Sequence, residues 1–251
     1  VFDSIQNFLN FEGVTNDNYD TKHGLGRIGL VGYLLGVVGG VSGTLFFCQI
    51  LTQGADAFRT ILVPWTAYVC LLSLFHFLEF FVTSIYQPST LCYDSYIVNH
   101  SKSYTIAAIV SWIEFWLEYL IFREKKLYFI YVCYFGIICT VLGQTIRSLS
   151  MSHCGENFSH IIADRKAESH KLVTNGIYRY LRHPSYFGWF YWSMGTQLIL
   201  MNPICSCAYV YVSWNFFKER IAYEEYLLLK FFGEKYQDYQ RKVPVGIPFI
   251  K

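Results

Sequence analysis

Residues 182 to 188 read Arg182-His183-Pro184-Ser185-Tyr186-Phe187-Gly188, and the longest charge-free run of the chain opens inside that string. From Pro184 to Phe217 there is no Asp, Glu, Lys or Arg, a stretch of 34 residues broken by Asn202-Pro203. Just before it stand Ser159-His160, Ser169-His170-Lys171-Leu172-Val173 and Thr174-Asn175-Gly176-Ile177-Tyr178; just after it stand Arg220 and Glu224. Imidazole, phenol, guanidinium and carboxylate groups in that number can bind an anion, hold a polar cofactor and orient a reactant. Each His or Tyr taken singly also suits an anchor in an interfacial aromatic belt. Arg220 and Glu224, cation first at i,i+4, form the weaker orientation of a helix-surface pair, which hints at another use.

The elements that position these groups follow from composition. The chain has 251 residues, 53% hydrophobic and 15% charged, against about 25% charged for soluble domains. Aromatics reach 20% and mean hydropathy is +0.29, as expected of a polytopic membrane protein. A net charge of +2, without a basic block interleaved with aromatics, argues against nucleic acid as a partner. Most of the eight cysteines lie in apolar runs, and Cys205-Ser206-Cys207 lacks zinc-ligand spacing, so no metal is expected. Val1 to His23 is polar, with no signal-peptide pattern.

Four spans are expected at Leu25–Leu51, Thr60–Ile85, Tyr104–Phe122 and Leu127–Ser148, each near the roughly 20 apolar residues that a bilayer requires. The glycines of the first span form a small-residue packing face. His76 and Glu79 share a helix face, as do Glu114 and Glu118; interhelical hydrogen bonding explains them more simply than substrate contact. Arg147 reads as a snorkelling anchor at the end of the fourth span. A polar segment, Leu149–Arg182, follows.

The charge-free run as one helix would measure about 51 Å, too long for a hydrocarbon core of roughly 30 Å. Asn202-Pro203 is a turn signal, so two short helices are expected, Ser185–Met201 and Pro203–Phe217, making a hairpin and a total of about six spans. Beyond it lies an interfacial amphipathic helix ending at Gly233. The fold expected is therefore all-α, a membrane bundle over residues 1–148 and a catalytic region over 149–251. Sixteen of the 20 Lys and Arg fall on the side of the termini, which the positive-inside rule makes cytosolic. The glycosylation patterns at Asn99 and Asn157 fall on that side and should be unmodified.

The string from Arg182 to Trp192, with Thr174–Tyr178 upstream and Arg220, Glu224, Glu225, Phe231–Tyr236 and Val243–Ile250 downstream, resembles the isoprenylcysteine carboxyl methyltransferases. The likeness extends to Ser73–Glu79 and Asp94–Ser101. It implies methylation of the free α-carboxylate of a C-terminal prenylcysteine, on farnesylated or geranylgeranylated proteins such as small GTPases, in the endoplasmic reticulum membrane. S-adenosylmethionine would be the donor and S-adenosylhomocysteine the product. Matching motif positions puts the cofactor at Ala163, His170, Lys171, Leu172, Val173, Tyr178, His183, Pro184, Ser185, Tyr186 and Glu224, and the substrate carboxylate at Arg220. Rival readings are a phospholipid amine methyltransferase, a NADPH-dependent sterol reductase and a non-catalytic prenyl-lipid-binding protein.

Overall fold

In the computed structural model, residues 23–53, 62–98, 101–127, 130–166, 168 and 170–251 are described. Among them there is no strand. The helices are α1 (Leu25–Gln53), α2 (Leu62–Tyr86), α3 (Lys102–Leu127), α4 (Ile130–Cys154), α5 (Pro184–Leu200), α6 (Pro203–Phe232) and α7 (Glu234–Lys242), with single turns of 3₁₀ helix between them. Among the described residues four helices, α1 to α4, are long and apolar enough to cross a membrane by length and composition. That is fewer than the six expected. At 17 residues α5 rises only about 25 Å, short of the core, and the second half of α6 is rich in charge.

Two boundaries differ from expectation. Helix α4 runs on to Cys154 instead of stopping at Ser148, so the first six residues of the expected polar segment are helical. Helix α6 is one unbroken helix of 30 residues, where a short span and a separate interfacial helix were expected. No proline or glycine interrupts it before Gly233, which closes it with φ +56°. The expected starts at Thr60 and Leu127, with Ser169 and Asn99, lie partly or wholly outside the described residues; Leu127 itself ends α3.

The expected turn at Asn202-Pro203 is present. Pro184 and Pro203 each occupy a first helical position, where a missing N–H costs nothing. Met201 takes the left-handed conformation between the two helices. The turn is fixed from α3. Glu114 places its two carboxylate oxygens 2.7 Å from the backbone N–H groups of Ile204 and Cys205, accepting two of the donors that the first turn of α6 leaves unpaired. Buried Asn202 donates to the Ser111 carbonyl at 2.8 Å, and the Ser111 hydroxyl donates to Gln197. Glu114 thus serves helix packing, as expected of an intramembrane carboxylate with a simple role.

Helices α4 and α5 run antiparallel in backbone contact. A Cβ on Gly143 would lie 2.6 Å from the Gly188 carbonyl, and one on Gly195 would lie 2.9 Å from the Gly136 carbonyl. Both pairs sit seven residues apart on each helix, so one face stays in register over two turns. The expected glycine face of α1 is narrower than its glycine count: Gly32, Gly39 and Gly43 meet Tyr96, Ser73 and Cys70, while Gly29, Gly36 and Gly40 meet nothing within 4 Å.

Candidate active site

Helix lengths place the site. Helix α5 spends 17 residues from Pro184 to the turn. Helix α6 runs back beside it, so the residue 17 places after Pro203, Arg220, returns to the level of Pro184. Everything beyond, Glu224 and Glu225 included, projects past the hairpin entry. The closing segment seals the outer side. Val245 and Ile247 are buried with Phe190, Phe217 and Ile221, and Arg182 N–H donates to the Pro244 carbonyl at 2.9 Å.

A cleft lies between the end of α4, the segment 157–186, the outer half of α6 and α7. The cavity itself measures about 140 Å³ and opens to solvent, small beside the roughly 300–1,000 Å³ of most ligand pockets. Of the residues singled out from sequence, Lys171, Leu172, Val173 and Tyr178 form one wall, and His183, Pro184, Ser185, Tyr186 and Glu224 form another. Ala163 is exposed and His170 half-buried, and neither is on the wall. Arg220 also stands outside it, reaching it through Tyr186.

Buried His183 sits between two carboxylates, Nε2 3.2 Å from Glu225 Oε1 and Nδ1 3.6 Å from Glu224 Oε2. Its ring stacks on Tyr186 at 5.5 Å between centroids, and Tyr186 stacks on Phe217 in turn. Glu225 is committed to structure. It accepts from Arg182 Nε at 2.8 Å and from Gln240 at 2.7 Å. Arg182 spends its Nη1 on the carbonyls of Gln240 and Val243. Burial tends to push the Glu225 carboxyl up, but His183 and Arg182 together hold it below the ordinary carboxylate value. Glu224 differs: its Oε2 is buried without a hydrogen-bond partner and faces the cleft. A buried carboxylate oxygen whose ionic neighbour, His183 Nδ1, stands 3.6 Å off is costly unless a closer donor satisfies it. A hydroxyl or ammonium of a polar ligand would fit there.

Arg220 is held from two sides. Its Nε donates to the Tyr186 hydroxyl at 3.0 Å and its Nη2 to the His160 carbonyl at 2.6 Å. Among the described residues no hydrogen bond to its Nη1 is formed. Arg220 and Glu224, one turn apart, both bear on the Tyr186 hydroxyl rather than pairing with each other.

Beneath the cleft lies a network that sequence reasoning did not assemble. Glu79 of α2, fully buried, accepts from Arg147 Nε at 2.5 Å and Nη2 at 2.8 Å, a two-point pair. Arg147 Nη1 reaches the Ser185 hydroxyl at 2.9 Å. Arg147 is thus a buried structural cation and not a snorkelling anchor; the backbone contact of α4 with α5 leaves it facing inward. His76 bonds the Tyr96 carbonyl at 2.9 Å and faces the Tyr104 hydroxyl, again interhelical. Sequence reasoning also missed Cys154, Leu228, Phe232, Tyr236 and Tyr239 as cleft residues. Leu228 and Phe232 carried a signal, since they follow Glu224 at four-residue steps on one helix face. Tyr236 and Tyr239 sit at i,i+3 on α7, where the Tyr239 hydroxyl donates to the Tyr178 carbonyl at 2.5 Å.

An all-helical membrane protein with a polar cleft at the entry of a short helical hairpin is the class that this fold and site define. The model of the isoprenylcysteine carboxyl methyltransferase (ICMT) family matches residues 136–230. The protein-S-isoprenylcysteine O-methyltransferase of Saccharomyces cerevisiae is 36% identical over 234 residues, covering 91% of this chain and 93% of the yeast protein. The chain belongs to that family. Its Xenopus laevis relative is 48% identical over 75% of this chain and 65% of its own length; the human relative is 46% identical over 73% and 64%. The chain thus spans slightly under two thirds of those vertebrate proteins. The solved structure of the eukaryotic intramembrane Ras methyltransferase ICMT, without a monobody, is 36% identical with a TM-score of 0.74, over 99% of this chain and 92% of that one.

Proposed function

We propose that this chain methylates the free α-carboxylate of a C-terminal prenylcysteine on farnesylated or geranylgeranylated proteins, small GTPases among them. S-adenosylmethionine is the donor, and the site faces the cytosol at the endoplasmic reticulum membrane. Residues 1–148 serve as the membrane bundle and 149–251 as the catalytic region. The observation that carries the reading is Arg220 beside the cleft, held through Tyr186 and the His160 carbonyl with no hydrogen bond to Nη1 among the described residues, one turn from Glu224, whose buried Oε2 has no hydrogen-bond partner there either.

The donor supplies an electrophilic methyl group on a sulfonium when bound. This chain's residues do the rest. Lys171, Leu172, Val173, Tyr178, His183, Pro184, Ser185, Tyr186 and Glu224 enclose it on two sides, and Glu224 Oε2 accepts one of its polar hydrogens. Ala163 and His170, on the adjoining segment, complete the proposed cofactor set. Arg220 meets the substrate carboxylate, which is ionised at neutral pH because an α-carboxyl has a pKa of about 3.3–3.7. No general base is then needed. Arg220 orients the anion in line for attack, held by two protein acceptors so that its donors are aimed before substrate arrives. The prenyl chain, buried at about 0.8 kcal/mol per CH₂, supplies remote binding energy for that alignment. Acetyl-farnesylcysteine with labelled S-adenosylmethionine tests the reading: the free acid should accept label and its carboxamide should not. Equal labelling of the amide, or none of the acid, would refute it.

A further inference from the structure

Arg220 and Glu79 belong to different helices, α6 and α2, and one residue touches both. His160 Nε2 lies 3.3 Å from Glu79 Oε2, and the His160 carbonyl accepts from Arg220 Nη2 at 2.6 Å. An ionised carboxylate only accepts, so the His160 ring donates. Glu79 itself cannot shift, since it is fully buried and gripped at two points by Arg147. Arg147 in turn holds Ser185, on the cleft wall. The peptide around His160 is not helical. The Ser159 hydroxyl accepting from the Ile161 N–H at 3.1 Å shapes it locally, and the Phe158 ring meets the imidazole edge-on at 5.2 Å. Without its side-chain anchor, that peptide has little else to fix where its carbonyl points.

We propose that His160 is a positioning residue for Arg220: its ring, pinned to the buried Glu79–Arg147 pair, fixes the carbonyl that aims the guanidinium at the substrate carboxylate. Resting on the functional reading above, this ties the membrane bundle to the reacting group through one side chain of a loop. A guanidinium tethered only to the Tyr186 hydroxyl could swing about that single bond. The same reasoning predicts which side chains can replace His160. It takes a donor of similar reach to Glu79, so Gln should serve in part and Ala should not.

The test uses the full chain in detergent or vesicles, with acetyl-farnesylcysteine as acceptor. His160→Ala should lower kcat/KM for the acceptor at least tenfold while the dissociation constant for S-adenosylhomocysteine stays within about twofold and Tm is little changed. His160→Gln should recover most of the loss. Wild-type kcat/KM in His160→Ala would overturn the positioning role. So would a parallel loss of cofactor affinity and Tm with no rescue by Gln, which would make His160 a structural residue only. Wild-type protein that methylates no prenylcysteine would instead overturn the functional reading on which the inference rests.

Discussion

Arg182 and Arg220 are both held by hydrogen bonds near the hairpin entry, but they are spent differently. Arg182 uses Nε and Nη1 on Glu225 and two backbone carbonyls, which fastens the closing segment to the hairpin. Arg220 has no hydrogen bond to Nη1 among the described residues. Arg220→Ala should therefore abolish methyl transfer, a loss of at least a hundredfold in kcat, while cofactor affinity measured by calorimetry largely survives. Near-normal turnover would end the assignment. Glu225 makes a different prediction, about pH. Its folded pKa is depressed, so the stability it contributes is present above its unfolded pKa of about 4.3 and lost as pH falls through the folded value. Tm should decline as the medium is acidified below about pH 4.5, and Glu225→Gln should flatten that limb; an unchanged slope in the mutant would place the acid sensitivity elsewhere. Much of this residue scale is legible in sequence, because His183, Pro184, Ser185 and Tyr186 are contiguous and Glu224 follows Arg220 by one turn. Partnership is not. That Glu79 pairs with Arg147, and that Glu225 rather than Glu224 anchors Arg182, depends on helix rotation and register, which local pattern does not encode.

At the scale of elements, the hairpin and the α4–α5 contact decide where the chemistry sits. Substituting Gly188 brings a Cβ within 2.6 Å of the Gly143 carbonyl and 2.8 Å of the Arg147 amide, neither of which can move without displacing a helix. Gly188→Ala should cost roughly 1–3 kcal/mol, the usual price of overpacking, read as a fall in Tm in detergent. Gly29→Ala on α1 is the control. It meets nothing within 4 Å, and alanine's helix propensity should leave stability unchanged or raised by up to about 1 kcal/mol. Destabilisation by both to the same degree would contradict the packing derived for α4 and α5. Glu114→Ala should likewise destabilise, by roughly 1–3 kcal/mol, because two N–H groups at the start of α6 lose their acceptor; cofactor affinity at the distant cleft should hold. The hairpin is readable from Asn202-Pro203 and the absent charges. The continuity of α6 is not, because its outer half changes from an apolar to a polar surface without a helix-breaking residue, and composition suggests two elements where the backbone makes one.

The whole molecule joins a lipid-embedded half to a water-facing cleft through a few polar connections. Of these, the Glu79–Arg147 pair is the deepest, and removing one partner strands the other. Arg147→Ala should cost about 3–5 kcal/mol, the penalty for a buried charge left alone, and should also weaken cofactor binding, since Ser185 loses its donor on the cleft wall. The fold class is legible from composition, with four helices of spanning character as expected for the first four. The hairpin's depth is less so, since a 17-residue helix followed by one whose charge begins midway does not declare where the bilayer ends. In the proposed function that geometry brings a lipid-borne acceptor and a water-soluble donor to one edge, which is the central claim. Its most direct test is to reconstitute the chain in vesicles containing phosphatidylethanolamine and acetyl-farnesylcysteine together, add labelled S-adenosylmethionine, and partition the label. All transferred methyl should appear as base-labile ester on the prenylcysteine; label on the phospholipid amine, or on neither acceptor, would contradict it.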